Sequence, residues 1–128
     1  MNIKCIIVED AAFLREVYRL NLKNEPIEIV DEASDGMEAI IKINQHKPDL
    51  VILDLVLPIK SGLDVLKEME RISPKSKCLV ISSIDDQDII RKALALGALR
   101  YLNKPFTKAE LLLAIVEVTK TYSEAYNG

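Results

Sequence analysis

Five side chains scattered along this sequence have the types that phosphoryl chemistry uses: the adjacent acids Glu9 and Asp10, the isolated acid Asp54, the hydroxyl of Ser82 and the amine of Lys104. Asp54 closes Leu50-Val51-Ile52-Leu53, four apolar residues that read as a short strand buried on both faces. An acid at a strand end also suits a helix cap, so its company is what argues for chemistry. Carboxylates gathered within several ångströms repel, by about 4 kcal/mol for a pair 4 Å apart at an effective dielectric of 20, and need a counter-charge. Hard oxygen ligands suit Mg2+, which takes one or two protein carboxylates and leaves its other positions to water and phosphate oxygens. A carboxylate can also accept a phosphoryl group, giving an aspartyl phosphate in a transfer that needs mainly in-line positioning and charge neutralisation. In that chemistry Asp54 is the candidate nucleophile, a metal and Lys104 stabilise the oxygens, and Ser82 supplies a hydrogen bond.

These groups meet only if the elements carrying them are arranged to bring them together. Five apolar strand-like runs alternate with five helical patterns. The runs are Ile3 to Val8, a short one from Ile27 to near Ser34, Leu50 to Leu53, Cys78 to Ile81, and Arg100 to Asn103. Between them, Ala11 to Lys23 has helical spacing and stops before Pro26. Met37, Ala39, Ile40 and Ile43 make the stripe of a second helix ending before Pro48. Ser61, with Asp64 three residues on, predicts the N-cap of a third helix. Asp85, Asp86 and Asp88 cluster where a fourth helix would favour negative charge, with Gly97 past its end, and Thr107 opens a fifth reaching Thr121 or beyond. Strict strand and helix alternation implies right-handed crossovers and a mainly parallel, doubly wound sheet. At 128 residues the chain is too short for an eight-stranded α/β barrel. In such a sheet all five groups follow the carboxyl ends of strands, the edge where ligands bind.

Length predicts one domain. A net charge of −3 and pI near 5.2 give no footprint for nucleic acid, whose binding depends on clustered Lys and Arg. No apolar run approaches the roughly 20 residues of a membrane span, and Met1 to Cys5 enters a strand without signal-peptide anatomy, so a cytoplasmic protein is expected. Cys5 and Cys78 each fall within an apolar strand run and read as small buried hydrophobes.

With these motifs in order at strand ends, the sequence resembles the receiver domains of two-component response regulators, the CheY-like family, from Ile3 to Tyr122. The resemblance rests on Val8-Glu9-Asp10, Ile52-Leu53-Asp54 with Pro58 and Gly62, Val80-Ile81-Ser82, Gly97-Ala98 before Tyr101, and Lys104-Pro105-Phe106. It implies a flavodoxin-like (βα)5 fold with strand order 2-1-3-4-5. Residues 1–122 would form the receiver, and 123–128 a tail or the start of a linker. The family further implies that Asp10, Asp54 and the Val56 carbonyl ligate Mg2+, with Glu9 assisting through water. Asp54 would be the phosphoacceptor, Ser82 and Lys104 would contact the phosphoryl group, and Tyr101 would change rotamer in response. The Lys104-Pro105 bond is expected to be cis. Implied partners are a histidine kinase or phosphotransfer protein, a downstream output protein, and a phosphorylation-dependent second copy of the chain.

Glu9 replaces the Asp often found first in the acid pair, keeping the charge on a longer arm. Ser82 and Ser83 are adjacent; Ser82 directly follows the strand and matches the family position. Val56 and Ile84 stand two residues beyond Asp54 and Ser82, positions whose side chains the resemblance implies control water at the aspartyl phosphate. Both are apolar and can neither orient nor activate water, which predicts a long-lived phosphoryl state and only slow self-dephosphorylation. Val56 also stands where an aspartyl phosphohydrolase usually carries a second acid. A flavin or nucleotide site would need glycines in the first turn, which instead reads Glu9-Asp10-Ala11-Ala12. Asp31 to Gly36 fails as a calcium loop because Ala33 and Lys42 occupy ligand positions, and the lone His46 reads as a surface residue. On the last helix Leu111, Ala114, Ile115 and Val118 form a core stripe. Leu112, Leu113 and Val116 lie outside it, to be covered by the preceding helix or to serve as a docking surface.

Overall fold

Strand and helix alternate along the chain as β1 (Ile3–Val8), α1 (Ala12–Leu22), β2 (Ile27–Ala33), α2 (Gly36–His46), β3 (Leu50–Leu53), α3 (Gly62–Ile72), β4 (Lys77–Ser82), α4 (Gln87–Ala95), β5 (Arg100–Asn103) and α5 (Lys108–Asn127). The computed structural model describes the backbone of residues 2–127 and the side chains of residues 2–119. The segment 123–128, expected to be a tail or the start of a linker, lies outside the residues whose side chains are described.

All five strands are parallel, in the order β2-β1-β3-β4-β5, which is the flavodoxin-like doubly wound arrangement. Successive strand residues point to opposite faces, and both faces are covered. Ile6, Val8, Val51, Leu53, Cys78 and Val80 pack with α2, α3 and α4. Cys5, Ile7, Leu50, Ile52, Leu79 and Ile81 pack with α1 and α5. The two cysteines thus face opposite sides of the sheet, and both are buried free thiols. At the edge, β2 carries a bulge at Val30, where the register with β1 jumps from Ile29 to Asp31.

Local signals place the helix ends. Asp35 caps α2 through the Glu38 N–H (2.8 Å), Ser61 and Asp64 form a reciprocal capping box on α3 (both bonds 3.2 Å), and Asp86 accepts from the Asp88 and Ile89 N–H groups of α4. Gly97 follows the end of α4 at φ +115°, a conformation that side chains resist. On α5, Leu111, Ala114, Ile115 and Val118 are buried as the spacing requires, and Leu112 packs partly against the same core. Leu113 and Val116 stay 56% and 53% exposed, so the preceding helix does not cover them.

The sheet's carboxyl edge is drawn into register by backbone bonds beyond the strands. Asp54 N–H donates to the Val8 carbonyl, Glu9 N–H to Ala33 and Lys104 N–H to Ser82, each at 3.0 Å. The β3–α3 loop is then pressed against the start of α2, where Gly36 N–H reaches the Pro58 carbonyl (3.2 Å). A Cβ at Gly36 would lie 2.0 Å from the Lys60 carbonyl oxygen, so only glycine admits this contact. Gly36→Ala is expected to cost about 1–3 kcal/mol by overpacking. Urea denaturation checks this, and wild-type stability in the variant would contradict it.

Candidate functional site

Asp54 leaves the central strand only 5% exposed, with both carboxylate oxygens engaged. Oδ1 accepts from Ser82 Oγ (2.8 Å) and from the Val56 N–H (3.0 Å), and Oδ2 accepts from Lys104 Nζ (2.6 Å). The same ammonium donates to Glu9 Oε1 at 2.6 Å, while Glu9 Oε2 accepts from the Ala11 N–H at 3.0 Å. Glu9 is 1% exposed. One cation therefore bridges two buried carboxylates. Burial pushes the Glu9 carboxyl above its ordinary range, an effect that the Lys104 and Ala11 donors only partly offset. Burial also opposes charge on Lys104, yet its bonds to Asp54 and Glu9 outweigh this and hold it above the usual lysine value.

Asp10, on the exposed rim, completes the acidic cluster: carboxylate oxygens of Glu9, Asp10 and Asp54 lie within 4.8 Å of one another. Three formal negative charges face the one ammonium of Lys104, and all three donors are hard oxygens. This donor set fits a small divalent cation such as Mg2+.

The structure thus brings Glu9, Asp10, Asp54, Ser82 and Lys104 together as their strand-end positions require. Of the two adjacent serines, Ser82 is fully buried on Asp54 while Ser83 is exposed. Val56 turns its N–H to Asp54 and leaves its side chain 53% exposed. Tyr101 donates its hydroxyl to the Ile84 carbonyl on the β4–α4 loop, near enough to Ser82 and Asp54 to feel both. The Lys104-Pro105 bond is cis. Asp31 lies within β2 and pairs with Lys42 (3.1 Å) and with His46 Nε2 (3.0 Å), so His46 is a half-buried partner of an acid rather than a free surface residue.

Sequence reasoning missed Arg15. Its Nη1 donates to the carbonyls of Glu9 (2.7 Å) and Asp10 (3.2 Å), and its Nε lies 3.4 Å from Glu32. The guanidinium ties the acid-bearing turn to β2. The available signal was a cation five residues after Asp10, on the first turns of the following helix.

A parallel doubly wound sheet with an acid cluster, hydroxyl and lysine at its carboxyl edge defines a class, and comparison with known proteins agrees with it. Residues 5–116 match the response regulator receiver domain, and the chain belongs to that family. It is 33% identical to the chemotaxis protein CheY of Thermotoga maritima over 120 residues, covering 94% of this chain and all of that protein. The receiver domain of AraT, a response regulator from Geobacillus stearothermophilus, superposes with a TM-score of 0.89 at 30% identity, over 98% of this chain and 99% of that one. CheY in the CheX-CheY-BeF3-Mg complex of Borrelia burgdorferi gives 0.87 at 27% identity, over 91% and 88%. Among the described residues no helix is long and apolar enough to cross a membrane.

Lys104→Met leaves Glu9 and Asp54 without a cation. Because Glu9 already titrates above its unfolded value, the folded variant holds a proton there more readily than the unfolded chain, and its stability falls as pH rises from about 4.5. Metal-free variant protein should lose about 3 kcal/mol at pH 8 and distinctly less at pH 5. Equilibrium urea denaturation at the two pH values decides it; an equal loss at both would contradict the charge account.

Proposed function

We propose that this receiver takes a phosphoryl group onto Asp54 from a phosphohistidine donor, a histidine kinase or phosphotransfer protein, and signals by altering the surface from α4 to α5. What supports this most is the single Asp54 carboxylate held by Ser82 and Lys104 beside the two further acids Glu9 and Asp10. In the transfer a carboxylate oxygen of Asp54 attacks phosphorus in line. The P–O bond forms as the donor P–N bond breaks, and the electron pair stays on the imidazole nitrogen. Lys104 meets the incoming negative charge, and Ser82 passes its hydrogen bond from Asp54 to a phosphoryl oxygen. Asp10, Asp54 and the Val56 carbonyl, with Glu9 through water, are the residues to hold Mg2+, which would supply further positive charge against the phosphoryl oxygens.

Movement of Ser82 toward the phosphoryl group lets Tyr101 leave the Ile84 carbonyl and change rotamer, linking the site to α4. The surface so altered exposes Leu94, Leu99, Leu113 and Val116, apolar positions suited to an output protein or a second copy of the chain. The function is that of a cytoplasmic switch acting on partners rather than an enzyme acting on external substrates. Its net charge of −3 favours protein partners over nucleic acid.

Incubation with acetyl phosphate and Mg2+ should add one phosphoryl group to the wild-type chain by intact mass spectrometry and none to Asp54→Asn. Labelling that survives in the variant would remove the proposal. Val56→Asn, which places an amide where it can orient water, should shorten the life of the phosphoryl group in a decay assay. An unchanged or longer lifetime would count against the role given to Val56.

A further inference from the structure

On the α1 side of the sheet, Tyr18 is 1% exposed and lies against the turn that carries Lys104. Its ring stacks on Phe106, with centroids 5.4 Å apart and planes 15° from parallel. Phe106 follows Lys104 by two residues, across Pro105. The turn is fixed on its strand side by the Lys104 N–H on the Ser82 carbonyl. On its helix side, Thr107 N–H donates to Glu110 Oε1 (2.8 Å) and Glu110 N–H to Thr107 Oγ1 (3.1 Å). Between these two anchors the described contacts hold the turn to the body of the protein through the Phe106 ring.

A lysine reaches its partners on a flexible four-carbon stem, so the place of its ammonium depends on where its backbone is held. Here that ammonium must sit at 2.6 Å from both Glu9 and Asp54. We infer that Tyr18 is a positioning residue for phosphoryl uptake: by stacking on Phe106 it locks the β5–α5 turn and so sets Lys104 between the two carboxylates. Among the described residues, Tyr18 makes no hydrogen bond to Asp54 or Glu9; it acts through Lys104. The inference rests on the phosphoacceptor reading of Asp54. The aromatic face does the work and the hydroxyl is dispensable, so phenylalanine should substitute and an aliphatic residue should not.

The test measures the rate of phosphorylation by acetyl phosphate at saturating Mg2+ in wild type, Tyr18→Phe, Tyr18→Leu, Lys104→Met and the Tyr18→Leu/Lys104→Met pair. Tyr18→Leu should lose roughly 10- to 100-fold in maximal rate, the scale on which small displacements of a positioned group act. Tyr18→Phe should retain the wild-type rate, and Tyr18→Leu should slow the reaction no further once Lys104 is gone. Phe106→Leu probes the same stack from the other side, so a Tyr18→Leu protein that fails to fold does not end the test; it too should be slow alone and without effect on Lys104→Met. A wild-type rate in Tyr18→Leu, or an equal fold loss with and without Lys104, overturns the inference while leaving Asp54 as phosphoacceptor. Absence of labelling in the wild type overturns that reading itself.

Discussion

Everything at the carboxyl edge of this sheet depends on one ammonium shared by two buried carboxylates. Glu9 and Asp54 emerge from neighbouring strands and are almost inaccessible to water. Without a cation between them their repulsion would act in a medium that screens it poorly. Lys104 supplies that cation from the far side of β4, and its bond to Asp54 leaves the other oxygen to Ser82 and the Val56 N–H. One ammonium against two carboxylates already leaves a negative charge over, and Asp10 adds a third carboxylate on the open side. A residual negative charge facing solvent is what invites a divalent ion.

The fold exists, for this purpose, to make distant residues adjacent. Lys104 lies 95 positions from Glu9 and 50 from Asp54 along the chain. A parallel sheet removes those separations because every strand delivers its last residue to the same edge. β3 at the centre has all four residues buried, which gives Asp54 a rigid footing. Asp10, which is exposed, sits on a turn that Arg15 has to hold by its carbonyls. Burial is thus graded, from Glu9, Asp54 and Ser82 in the interior to Asp10 at the rim.

Much of this could be read from residue order. The apolar runs and their helical interludes place each element, and the caps at Ser61, Asp86 and Gly97 stand where short-range chemistry puts them. Convergence of Glu9, Asp10, Asp54, Ser82 and Lys104 follows from parallel strands alone, whereas the order of those strands came from family resemblance. What stayed hidden depends on tertiary register. Spacing suggests a metal as counter-charge and cannot show that Lys104 already fills that role for Glu9 and Asp54. Nor can it show that Arg15 grips two carbonyls, that Tyr18 meets Phe106, or that His46 finds Asp31 from α2. Periodicity set Leu112, Leu113 and Val116 apart from the core stripe. Only packing shows that the first is partly covered and the other two are not.

The most direct test is a crystal structure of the chain with Mg2+ and beryllium trifluoride, an acyl phosphate mimic. The account predicts beryllium bonded to an Asp54 oxygen, Lys104 and Ser82 on its fluorides, and the ion held by Asp10 and Asp54. An unmodified Asp54 with Lys104 still bridging it to Glu9, under conditions where both reagents are bound elsewhere, would contradict it.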